Sequence, residues 1–156
     1  MRDRTCCFLG HRKINATKQL FERIEKIVEE LIVKENIDTF LFGSKSEFND
    51  ICYEIVTLLK DKYPHIKRIY VRAEYPYIDE KYKEYLMEIY DETYYPKTAV
   101  AAGKATYIKR NFEMIDKSSF CVIYFDISYV PLKRKSGTSL GYEYAKRKGI
   151  KIINVC

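Results

Sequence analysis

Five short strand-like runs, separated by stretches of helical periodicity, limit what this chain can become. The runs are "TCCFL" at 5–9, "TFLF" at 39–42, "IKRIYVRA" at 66–73, "SFCVIYF" at 119–125 and "IKIINV" at 150–155. Leu20, Ile24, Ile27, Val28 and Leu31 recur at helical spacing and predict a helix over 15–35, capped by Asn15 or Thr17. Phe48, Ile51, Cys52, Ile55 and Leu59 predict a second, ending near Lys62 before "YPH". A third covers 104–117, with Ala105, Ile108, Phe112 and Ile115 on its apolar face. "SLGYEYAKRK" is a fourth, with Gly149 as its C-cap. Short apolar strands alternating with helices mean a mostly parallel sheet covered on both faces. The expected fold is a Rossmann-like three-layer α/β/α sandwich of about five strands in one domain, 1–156.

Residues 74–103 interrupt that alternation. "DEKYKEYLMEIYDE" reads as a helix and "TYYPKTAVAAG" as a loop. Seven of the chain's 15 tyrosines fall in this insertion, and the chain has no tryptophan. Two readings stay open: a surface for a protein partner or a second copy, and a lid padded by aromatic rings.

The 28 Lys and Arg against 22 Asp and Glu give a net charge of +6. That balance favours anionic partners. No continuous basic stripe supports nucleic-acid binding. The clearest basic cluster is Lys133, Arg134 and Lys135, just before "SGT". No apolar run approaches a membrane span, and "MRDRTCCFLGHR" is too short in apolar residues for a signal peptide, so a cytoplasmic location is expected. The five cysteines lack zinc spacing; four are expected in strands and Cys52 in a helix, all as buried reduced thiols. No metal site and no required cofactor are expected.

In an open parallel sheet, ligands sit beyond the carboxyl ends of the strands, where strand order reverses. The residues after each strand are therefore candidates. They are Gly10, His11 and Arg12; Gly43, Ser44 and Lys45; Arg72, Ala73, Glu74 and Tyr75; and Asp126 with the later Ser136, Gly137 and Thr138. Helix starts after Ser44 and Ser136 suit phosphate, and Arg12, Lys45 and Arg72 suit charge-assisted bonds to it. Tyr75 suits stacking on a base. The structural alternatives are equally concrete. Gly43 fits a tight turn, Ser44-x-x-Glu47 fits a capping box, and Asp50 fits a dipole-stabilising charge. Arg110 and Asn111 either lie in solvent or reach the strand ends. There is no GxGxxG and no GxxxxGK[ST], so an ordinary dinucleotide fingerprint and a P-loop are disfavoured.

"CCFLGHR", "RIYVRAEYPY", "YIKRNFEMIDKSSFCVIYFD" and "KSGTSLGYEYAKRKGIKIINV" together resemble the SLOG superfamily, most closely its YpsA-like branch of small Gram-positive bacterial proteins. The resemblance covers nearly the whole chain. It implies nucleotide or nucleotide-derivative binding, such as a nucleoside phosphate or an ADP-ribose-like ligand. By position it carries over to Gly10, His11, Arg12, Gly43, Ser44, Asp50, Arg110, Asn111, Ser136, Gly137 and Thr138. The LOG phosphoribohydrolases of this superfamily carry PGGxGTxxE, whose Glu serves N-glycosidic cleavage. Here the matching position is Gly141, and Glu143 sits about 200° further round a helix. The second turn also departs, with Lys45 and Glu47 in place of small residues. The expected function is therefore nucleotide binding or sensing. The alternatives are a LOG-like N-glycosidic hydrolase using Asp50, Glu74, Asp126 or Glu143, and a Tyr-rich interaction scaffold. No complete catalytic motif decides between them.

Overall fold

The computed structural model describes residues 2–43, 45–73, 77–97, 105–128 and 136–156. After a 3-10 turn at Arg2–Arg4, the order is β1 (Thr5–Gly10), α1 (Lys18–Lys34), β2 (Thr39–Phe42), α2 (Glu47–Lys62), β3 (Lys67–Val71), α3 (Glu80–Ile89), β4 (Glu92–Tyr94), α4 (Thr106–Asp116), β5 (Phe120–Tyr124), α5 (Gly137–Lys148) and β6 (Lys151–Asn154). The strands form one sheet in the order β4-β3-β2-β1-β5-β6, every pair parallel. Strand order reverses between β1 and β5.

Alternation along the strands sorts the core into two layers. Cys6 and Phe8 face one side, with Phe40 and Phe42, and pack on α1 through Leu20, Ile24 and Val28 and on α2 through Phe48 and Ile55. Cys7 and Leu9 face the other side, with Cys121 and Ile123, and pack on Met114 and Ile115 of α4 and Ala145 of α5. Truncating a wholly buried ring such as Phe48 or Phe8 would cost about 3–5 kcal/mol. The helix starts follow from capping chemistry: Thr17 accepts from the Leu20 N–H, Ser46 from Asn49 and Ser136 from Ser139, while Gly149 ends α5.

Several details differ from the sequence expectation. The sheet has six strands, not about five, because "ETY" inside the insertion pairs with β3. Two interactions hold it there. The Asp91 carboxylate accepts from the Arg68 backbone N–H at 2.8 Å and from its Nε at 3.1 Å, and the Arg72 N–H donates to the Tyr94 carbonyl at 2.8 Å. The start of α2 is capped by Ser46, which makes Glu47 its first helical residue; Ser44 of the expected capping box lies outside the described residues. Glu47 Oε1 accepts from the Ile14 N–H at 2.9 Å, fastening the turn after β1 to α2. The buried face of α4 is Thr106, Arg110, Asn111, Met114 and Ile115, rotated from the predicted stripe. Ile108 and Phe112 are only half-buried, and Phe112 stacks on Tyr144 of α5 with centroids 3.9 Å apart. Cys156 lies beyond β6 and is exposed; the other four cysteines are buried free thiols.

The tyrosines of the insertion divide. Tyr90 stacks on Tyr70 at 5.1 Å and packs on Tyr53 and Phe42, while Tyr53 donates to the Ile89 carbonyl at 2.6 Å. Tyr94 donates to Glu113 at 3.0 Å. These rings fasten α3 and β4 to the sheet. Tyr77 is 92% exposed and Tyr85 is 56% exposed.

Candidate functional site

The carboxyl ends of β1, β2 and β3 and the first turns of α4 and α5 enclose a crevice of about 860 Å³. Each predicted turn reaches it for a local reason. Gly10 ends β1 where an added Cβ would enter the Phe48 ring, so packing alone demands glycine there. The following turn, His11 to Lys13, is held down by the Glu47 N–H donating to the Arg12 carbonyl at 2.9 Å. Gly43 ends β2, and its N–H donates to Asn49 Oδ1 at 3.4 Å. A Cβ on Gly43 would lie 2.6 Å from Arg110 Cδ and 2.9 Å from Met114 Sδ. Both glycines are thus explained by close packing at the rim. Gly137 differs: a Cβ there would meet only the Asn111 amide nitrogen, at 3.9 Å.

Arg110 organises the floor. It is 4% exposed, and its Nη1 donates to the Gly43 carbonyl and, at 3.4 Å, to the Val71 carbonyl. Its Nε donates to Asn111 Oδ1 at 2.9 Å, and its guanidinium lies over the Tyr107 ring, 5.8 Å from the centroid. Arg110 therefore ties the ends of β2 and β3 together. Asn111, turned by the same bond, places its amide nitrogen beside the start of α5. There the Ser136 hydroxyl takes the Ser139 N–H, leaving the Gly137 and Thr138 N–H groups at the open, positive end of the helix.

The exposed cations Arg12, Lys13 and Lys45 line the mouth. With Arg110 they put four cationic side chains around the crevice, and none of its described lining residues is acidic. Tyr70, which stacks on Tyr90, and Tyr107, which lies under the Arg110 guanidinium, stand on its wall. His11 is buried, and its Nε2 accepts from the Asp126 N–H at 3.0 Å. Burial lowers the imidazole pKa, opposed by the nearby Asp126 carboxylate. His11 is thereby a neutral acceptor fixing the end of β5, and that bond occupies the nitrogen a general base would use.

Gly10, His11, Arg12, Gly43, Arg110, Asn111, Ser136, Gly137 and Thr138 come together as the sequence suggests. Others do not. Arg72 is buried against β4, donating to Thr93 Oγ1 at 3.2 Å, and does not line the crevice. Burial lowers its pKa. Asp126 lies behind His11, its Oδ1 accepting from the Ser128 N–H and hydroxyl, which hold its pKa below the usual carboxylate value. Asp50 is exposed in a neighbouring recess. Ser44 and Tyr75 lie outside the described residues, as do Glu74, Gly103, Lys104, Lys133, Arg134 and Lys135.

Sequence reading missed Lys13, Ser46, Tyr70 and Tyr107 as lining residues, while Ala73, one of the strand-end residues, does line the crevice. Tyr107 had a usable signal: it stands three and four residues before Arg110 and Asn111, on one helix face. A scan against protein-family models finds no match, and a search of curated proteins finds none.

Proposed function

We propose that this crevice binds a nucleotide or nucleotide derivative, with a phosphate on the start of α5. The observation that carries the reading is the charge arrangement at the point of strand reversal. Four cationic side chains, a helix N-terminus and the Asn111 amide surround a space lined by no described carboxylate. Phosphate is the anion such a place suits, and the tyrosines on the wall suit contact with a base. The resemblance to the SLOG superfamily points the same way.

Binding is favoured over N-glycosidic cleavage. Cleavage needs a carboxylate close to the ribose. Of the four candidate carboxylates, Asp50, Asp126 and Glu143 do not line the crevice, and Glu74 lies outside the described residues. At Gly141, where the hydrolase pattern requires Glu, an added Cβ would lie 2.8 Å from Leu9 Cδ1, inside the core. Calorimetry with nucleoside monophosphates, ADP, ADP-ribose and NAD tests the reading. Saturable heat with at least one of them is expected, without release of free base from AMP; no heat from any would overturn it. A lesser reading, self-association through the insertion, rests on exposed Tyr77 and Met87; light scattering at rising concentration tests it, with an unchanged mass counting against it.

A further inference from the structure

The two edges of the sheet are finished differently. β4 closes one edge with three residues, its Glu92 is tied to Lys67 at 3.4 Å, and Pro96 stands two residues beyond it. Shortness, charge and proline are the means by which an edge strand avoids further pairing. β6, at the other edge, carries neither charge nor proline after its first residue. It reads Lys-Ile-Ile-Asn, and the ammonium of Lys151 is turned back over the Phe120 ring, 5.3 Å from its centroid. Ile152 packs on the core layer under α5 and Ile153 on the layer under α1, yet both are only half-buried. A strand that is apolar on both faces has the pattern of a sheet interior, not of an edge.

Backbone direction singles out the open groups. The Lys151 N–H donates to the Ser119 carbonyl at 3.1 Å and the Val155 N–H to the Ile123 carbonyl at 2.8 Å, so residues 151, 153 and 155 address β5. By alternation the N–H and C=O groups of Ile152 and Asn154 point away from β5, on the side where no described strand pairs with β6. The Asn154 side chain is engaged with Phe125, accepting from its N–H at 3.1 Å and donating to its carbonyl at 2.9 Å. We propose that β6 is the interface for a second copy of this chain, the two β6 strands pairing antiparallel about a two-fold axis at Ile153. The register follows from the strand itself. Ile152 and Asn154 stand symmetrically about Ile153, so the axis sets each Ile152 opposite the partner's Asn154. Such pairs exchange both N–H···O bonds, which satisfies every outward donor and acceptor of the two residues. Ile153 meets the partner's Ile153 as the close, non-hydrogen-bonded pair, and the two half-buried side chains cover each other. Residues 152–155 carry no charged side chain, so no like charges meet there. The two six-stranded sheets become one of twelve strands. A contact of this kind uses the same surface on both copies and closes on itself. The strand's own symmetry therefore favours a second copy over a foreign strand.

Amide hydrogen exchange on the full chain, read residue by residue, tests the register. Two short strands make a small contact, so the dimer should dissociate in the range of about 10–100 µM. Well below that range the Ile152 and Asn154 amides should exchange freely while Ile153 and Val155 stay protected. Well above it, Ile152 and Asn154 should slow by at least about ten-fold. Light scattering should show the mass rising from 18.6 kDa towards twice that value over the same range. Ile152→Pro removes one outward donor from each chain and sets its ring against the partner's Asn154 carbonyl, without touching a bond to β5. It should weaken the dimer at least about ten-fold while still unfolding cooperatively in urea. Should that variant fail to fold, the exchange pattern of the unaltered chain decides alone. A mass of 18.6 kDa at every concentration up to about 1 mM, ten times the upper end of that range, would overturn the proposal. A dimer in which Ile152 and Asn154 exchange as in the monomer would overturn it too, as would a dimer that Ile152→Pro leaves intact. Either result would put the contact elsewhere, such as on the exposed tyrosines of the insertion.

Discussion

Replacing Arg110 by Met tests how the crevice is held open. Met keeps the apolar stem against α4's neighbours and deletes the guanidinium. Two strand-end carbonyls, Gly43 and Val71, then lose a charged donor, and Asn111 Oδ1 loses its Nε partner. An acceptor left buried without a donor costs about 1–3 kcal/mol. Against that, the variant no longer has to desolvate a cation, which offsets part of the loss. The net expectation is a destabilisation of about 2–4 kcal/mol, which lowers the melting temperature by roughly 4–16 °C in a chain of this size. Urea unfolding should show a lower midpoint with an unchanged slope. Arg110→Lys should fall between the two, because a lysine keeps the charge but lacks the second nitrogen that holds Asn111 Oδ1 while Nη1 serves both carbonyls. ADP affinity should drop by at least about ten-fold in the Met variant. A change in stability under about 0.5 kcal/mol would refute the clasp, since that is the range of surface substitutions away from specific features.

Three further outcomes follow from the same geometry. Because burial lowers the His11 pKa, protonation opposes the fold: stability is full above the unfolded value of about 6.5 and falls as pH drops towards the folded value. His11→Gln should flatten that part of the pH profile measured by urea midpoints between pH 7.5 and 5; an unchanged slope would contradict the assignment. Gly141→Glu, which restores the hydrolase-pattern residue, should destabilise by more than about 3 kcal/mol and release no base from AMP, because the side chain must enter the core beside Leu9; a stable, hydrolytic variant would contradict this. Lys45→Glu should weaken ADP binding and reduce its salt dependence; equal affinity at low salt would remove Lys45 from the mouth of the crevice.

The layers of the fold were legible because periodicity reports burial directly. Cys6 and Cys7 had to face opposite sides, and they do. The edge strand β4 was not legible: "ETY" is three residues long, and its place depends on Asp91 reaching Arg68 across the chain. The face of α4 was misjudged for a related reason. Hydrophobicity assigns Arg110 and Asn111 to solvent, yet carbonyls at two strand ends and the start of α5 create a buried polar niche that no local pattern announces. The convergence of the strand-end turns was legible from topology alone. Which turn residues face inward was not, because Arg72 is turned aside by Thr93 of β4, a tertiary effect, while Asp126 is turned by a local bond from Ser128, two residues on.

The central claim is that a phosphate-bearing ligand sits at the strand-reversal edge. Titrating ADP into isotopically labelled protein and following backbone amide resonances tests it most directly. The account predicts the largest shifts at Gly10–Lys13, Gly43, Lys45 and Gly137–Thr138, with none around Arg4, Asp38 and His65, which line a recess at the opposite end of the strands. Shifts centred on that opposite recess, or no shifts at millimolar ADP, would contradict it.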